Sequence, residues 1–93
     1  MEFNSFDLYN ILTDLVHRKL YSELEQLVIA NKHIITIPML NELFELPLYE
    51  SVVKAHQNLY KVIVEAAELN QGQLTIRHTF QLASIKLAIE KLK

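Results

Sequence analysis

Between Pro47 and Gly72 the chain carries no glycine or proline, and apolar residues recur through the interval at helical spacing. Tyr49, Val52, His56, Leu59, Ile63 and Ala66 follow one another at steps of 3, 4, 3, 4 and 3. That is a heptad seam, a period that an α-helix gathers onto one side. Val53, Tyr60, Val64 and Ala67 form a second apolar stripe beside it. The spacing predicts one continuous helix over 48–69, with more apolar surface than a single neighbouring helix covers. The whole chain of 93 residues has one Gly and two Pro, whereas a β-sandwich or barrel needs a turn about every 8–12 residues. The expected fold class is all-α: a compact bundle of four or five helices around the long one, in a single domain over 1–93, with no internal repeat.

The remaining helices are read from their ends. Asn4 or Ser5 can cap a helix over about 6–19, with Asp7 in the first turn and Arg18 and Lys19 in the last, signs that suit the helix dipole. Ser22 followed by Glu25 has the spacing of a capping box for a short second helix, and Asn31 is a candidate left-handed stop. His33–Ile37 is rich in β-branched residues and reads as a short strand or an extended connector. Pro38 then starts a third helix, with Leu40, Leu43 and Phe44 inward, which Pro47 ends. Gly72 is expected to close the long helix at positive φ. A last helix begins at Thr75 or Phe80 and runs to the C-terminus. Pairing of 33–37 with 74–78 as two strands is the alternative for these segments.

Leu, Ile and Val make up a third of the chain, far above the content of a disordered one. Zero Cys excludes disulfides, thiolate metal sites and cysteine nucleophiles, and suits a reducing compartment such as the cytoplasm. A net charge of −2 gives no global field for nucleic acid or acidic lipid. No apolar run is long enough for a membrane span. Met1-Glu2-Phe3-Asn4 has no basic n-region, so no signal peptide is expected.

His17, His33, His56 and His78 show no HExxH frame and no i,i+4 pairing. His56, on the seam, either fixes register, as a polar seam residue can, or is a satisfied core histidine. The pairs Glu42/Glu45 and Glu65/Glu68 read as solvated faces. One glycine cannot build a phosphate-binding or dinucleotide loop. No catalytic, metal or cofactor site is expected, and no small-molecule substrate. The helix after Pro38 carries Asn41, Glu42 and Glu45 without a cation, which disfavours direct binding of nucleic acid.

Leu12, Leu15, Leu24-Glu25, Asn31-Lys32, Leu40 and Leu59-Tyr60 give the first sixty residues a pattern similar to the small bacterial Hha/YmoA nucleoid-associated regulators. Residues 46–54, LPLYESVVK, depart from that family's Asp-His-Arg segment, and the final thirty residues have no counterpart in its short members. The resemblance implies an all-α co-regulator that acts by contact with a nucleoid-structuring protein.

The residues alone lead to a non-enzymatic interaction module: an adaptor, chaperone-like protein or inhibitor that binds another protein or a second copy of itself. A homodimeric structural module is the other alternative. Partner contact is assigned to Tyr49, Val53, Tyr60 and Val64 on the long helix, with Phe80 and Ile89 in support. Tyrosine suits interfaces because it joins a large apolar body to one hydroxyl.

Overall fold

Asn4 caps α1, Ser5–Arg18: its side-chain oxygen accepts from the Asp7 N–H at 2.8 Å. A computed structural model describes residues 4–92, the side chain of Ser5 excepted. After α1 come α2 (Tyr21–Ala30), α3 (Ile37–Leu43), α4 (Glu50–Ala55), α5 (Gln57–Leu69) and α6 (Ile76–Glu90). Single 3₁₀ turns at Lys32–Ile34 and Gln71–Gln73 lead into α3 and α6. The fold is all-α, and the described residues contain no strand, so 33–37 and 74–78 are not paired.

The expected rod over 48–69 is broken, which raises the helix count to six. His56 leaves the helical region at φ −127° and ψ 42°, ending α4 and starting α5. Glu25 of α2 holds the break open. Its Oε2 accepts from the Leu59 N–H of the first turn of α5 at 3.1 Å, an N–H shared with the His56 carbonyl at 3.1 Å. A carboxylate there also suits the positive end of the helix dipole. Glu25 therefore caps α5, and not its own helix as the Ser22/Glu25 spacing suggests; α2 has no side-chain cap. On the other side of the break, Gln57 Nε2 donates to the Lys54 carbonyl at 3.4 Å.

The break changes what both stripes do. Once α4 turns away from the axis of α5, Val53 and Tyr60 both reach the interior. α5 then lies at the centre and packs against α2, α3, α4 and α6. Leu59, Tyr60, Val62, Ile63, Ala66 and Ala67 are all buried, so α5 hides an arc of roughly 160°. One hydrophobic cluster runs from Leu8 and Leu12 on α1 to Leu82 and Ile85 on α6.

The chain turns the same kind of corner twice, once in each half. Asn31 ends α2 at φ −119°, ψ 24°, and Asn70, 39 positions on, ends α5 at φ −111°, ψ 21°. Each Asn side chain donates back to the carbonyl four residues earlier, at 2.9 Å to Leu27 and 2.8 Å to Ala66. A 3₁₀ turn follows each time, then extended Ile35 or Leu74, then Thr36 or Thr75 as N-cap residue. Asn31 thus stops its helix through its amide and not through a left-handed backbone. Gly72 has no positive φ either; among the described residues only Lys19 does, at 60°.

Candidate partner-binding surface

α6 is built by its own capping box. Thr75 Oγ1 accepts from the His78 N–H at 3.2 Å, and His78 Nδ1 accepts from the Thr75 N–H at 3.3 Å. The His78 ring lies 5.5 Å from that of Phe44, which ties the start of α6 to the end of α3. The helix then runs without Gly or Pro to Glu90.

α6 has two apolar sides. Leu82 and Ile85 are buried against the core. At about 100° per residue, Ile76, Phe80, Ala83 and Leu87 fall within roughly 60° of one another on the opposite side. Ile76, Phe80 and Leu87 are 77, 70 and 54 % exposed. Beside Leu87 opens a groove of about 370 Å³ lined also by Leu48, Val53 and Ala88 and by the polar Glu50, Ser84 and Lys91. The repeated corner supplies an internal comparison. On α3 and just after it, the exposed positions Pro38, Asn41 and Glu45 correspond to Arg77, Phe80 and Ser84 of α6. Phe80 thus stands on α6 where the matching helix carries Asn41.

The residues assigned to a partner divide into three groups. Val53 and Tyr60 are fully buried, 0 and 1 % exposed, and belong to the core. Heptad spacing misassigned them because it presumes one unbroken axis. Tyr60 donates its hydroxyl to the Pro47 carbonyl, and burial, with the nearby Tyr21 second, pushes its pKa up to about 12. Tyr49 and Phe80 are exposed, 73 and 70 %, Tyr49 just before α4 and Phe80 on α6. Tyr49 borders a separate depression between α1, α2 and the segment before α4, with Tyr21 and Lys19. Val64 and Ile89, both partly buried, are brought together in an open groove between α5 and α6 of about 420 Å³. Lys61, Glu65, Glu68, Lys86 and Glu90 surround them, and Lys86 bridges to Glu68 at 3.1 Å. Sequence reasoning missed Ile76 and Leu87. The signal was present, since 76, 80, 83 and 87 share a helical face, but the buried row of α6 has the same period and drew the assignment to itself.

The fold brings several polar side chains together, and His56 is not the satisfied core histidine expected, since its Nδ1 is buried without a hydrogen-bond partner. His56 Nδ1 lies 3.7 Å from Glu25 Oε1, with the Tyr21 ring edge-on at 5.9 Å. His17 lies 3.7 Å from Glu42, and Arg77 3.5 Å from Glu45. No group of three or more His, Asp or Glu is placed to hold a metal ion among the described residues, and no helix there is long and apolar enough to cross a membrane. Compared with known proteins, the chain matches no family model, no curated protein and no solved structure.

Proposed function

We propose that the protein is a non-enzymatic helical interaction module, an adaptor, chaperone-like protein or inhibitor that docks on another protein chain through the outer side of α6. The observation that carries this reading is the exposed row of Ile76, Phe80 and Leu87, set opposite the core-facing row of the same helix. Leaving large side chains in water forgoes about 25 cal/mol for each Å² that burial would remove, so contact with a partner is favourable there. A row of this kind beside a groove of mixed apolar and polar lining is a candidate contact surface. The broken rod no longer contributes, because its second stripe is largely internal.

Two further observations support the reading. Glu25 and His78 are occupied at helix starts, Glu25 at that of α5 and His78 at that of α6. The cations that a nucleic-acid surface would need are dispersed. Arg18 and Lys19 sit before α2 and Lys32 after it, about 15 Å apart along that ten-residue helix, and Arg18 pairs with Asp14 at 3.1 Å.

The test is a double variant, Phe80→Glu with Leu87→Glu. Both positions are exposed, so helical circular dichroism and thermal midpoint should stay near those of the parent. Proteins retained by the immobilised parent chain from its own host should be lost by the variant. Retention of the same set by both would refute docking through α6.

A further inference from the structure

We propose that His56 and Glu25 form a proton-operated latch across the break between α4 and α5. On taking up a second proton, the His56 ring becomes a cation whose Nδ1–H closes on Glu25 Oε1 and ties α2 to the hinge residue itself.

Two unmet groups face each other at this point. His56 Nδ1 is buried with no hydrogen-bond partner, a state that costs free energy in a low-dielectric interior. Glu25 Oε1 lies 3.7 Å away, too far for a hydrogen bond and near enough for an ion pair. The two side chains are 17 and 23 % exposed, so the pair is weakly screened but keeps an edge open to water for proton exchange. Among the described residues no Lys or Arg lies within ion-pair distance of Glu25. His56 is therefore the group in position to give this carboxylate a positive partner. The other ionisable groups around the ring do not compete. From α2 the Tyr21 ring meets it edge-on at 5.9 Å. Tyr60 of α5 donates its hydroxyl to the Pro47 carbonyl, and Lys54 of α4 and Lys61 of α5 are exposed.

Glu25 can close the gap without abandoning α5. The Leu59 N–H that its Oε2 accepts from is shared with the His56 carbonyl, so a lean towards the ring leaves that donor satisfied. The carboxylate also selects the tautomer. A neutral ring with its proton on Nε2 would turn a lone pair of Nδ1 onto a carboxylate oxygen. The neutral ring therefore carries its proton on Nδ1, and the second proton enters at Nε2. His56 is the residue whose φ and ψ end α4 and start α5, so the state of its ring acts on the hinge directly. The imidazolium meets its acid only in the folded chain. Free imidazole and carboxyl groups leave a window of roughly pH 5 to 6.5 in which the first is charged and the second ionised. The latch adds stability there, and its contribution lapses as the pH rises through neutrality.

Neither readout of the latch involves a partner chain, so its fate is separate from that of docking through α6. Thermal melts of the parent and Glu25→Gln at pH 5.5 and pH 8 give the first. Both chains bury the ring and keep an oxygen at position 25, so the charged pair is what distinguishes them. The gap between their midpoints should widen by about 4–8 °C from pH 8 to pH 5.5, as one partly buried ion pair would give. The widening should vanish when His56→Gln is placed in both backgrounds. Nitrogen-15 NMR of the histidine rings needs no variant: at pH 8 the His56 proton should sit on Nδ1, with the exposed ring of His17 as the reference. A gap that does not change with pH, a widening that survives the loss of His56, or a His56 ring protonated on Nε2 at pH 8 overturns the latch.

Discussion

Tyr60 is the largest of the fully buried side chains, and its hydroxyl serves the Pro47 carbonyl at the bend before α4. Burial of the phenol, with Tyr21 nearby, raises its pKa from 10.0 to about 12. The folded state therefore holds its proton where the unfolded chain has released it. Stability from this source is complete below pH 10 and drains away as pH rises through about 12. At roughly 1.4 kcal/mol per pH unit of displacement the loss is about 2–3 kcal/mol. Denaturant titrations at pH 8, 10 and 12 should show this extra fall for the parent chain and not for Tyr60→Phe, which should begin about 1 kcal/mol less stable for want of the hydrogen bond. Parallel curves for the two proteins would refute the assignment. Gly72 offers a contrasting substitution. Its φ is not positive, and a Cβ built on it meets nothing within 4 Å. Gly72→Ala should therefore raise stability by about 0.4–1 kcal/mol, by restricting the unfolded chain. A loss on chemical denaturation would mean that the turn at Gln71–Gln73 needs glycine after all.

Helix ends were legible where the cap lies within a few residues of its helix, and illegible where it comes from afar. Asn4 and Thr75 cap their own helices; the sequence places the first start within a residue and offers Thr75 as one of two starts for the last helix. The break at His56 has no glycine or proline to announce it. Its determinant, Glu25, lies 34 positions before the Leu59 N–H it accepts from, and locally it mimics a capping box for α2. The outer row of α6 was legible in period but not in consequence, because nothing local tells which of two apolar sides turns inward. Glu25 gives the element-level prediction. Glu25→Ala should cost about 1–2 kcal/mol, the usual value of a lost N-cap, and lower the thermal midpoint by about 5–15 °C for a chain of this size. Glu25→Gln, which keeps an accepting oxygen but not the charge, should recover part of the loss. Equal stability of all three chains in thermal melts would show that the break is held by packing alone.

The repeated corner suggests two halves, yet the packing binds them into one unit. α5, from the second half, covers α2, from the first, and Glu25 and Tyr21 of α2 engage the start of α5. Leu12 on α1 and Ile85 on α6 belong to one continuous cluster, 0 and 2 % exposed. Neither half has a core of its own that it could keep once the other unfolds, so unfolding should be a single cooperative transition. Leu12→Ala and Ile85→Ala test this from opposite ends of the molecule. Each should remove about 2–5 kcal/mol, a large part of the roughly 5–14 kcal/mol expected for a domain of this length. Each should also shift the whole transition, with helical circular dichroism and tyrosine fluorescence moving together. If the halves were autonomous, Leu12→Ala would split the melt, with the tyrosines at 49 and 60 reporting an unmoved second step. The outer row of α6 takes no part in this cluster, so Leu87→Ala should leave the transition within about 0.5 kcal/mol of the parent. That separation between a row that holds the fold and a row that does not is what leaves α6 free to meet another chain.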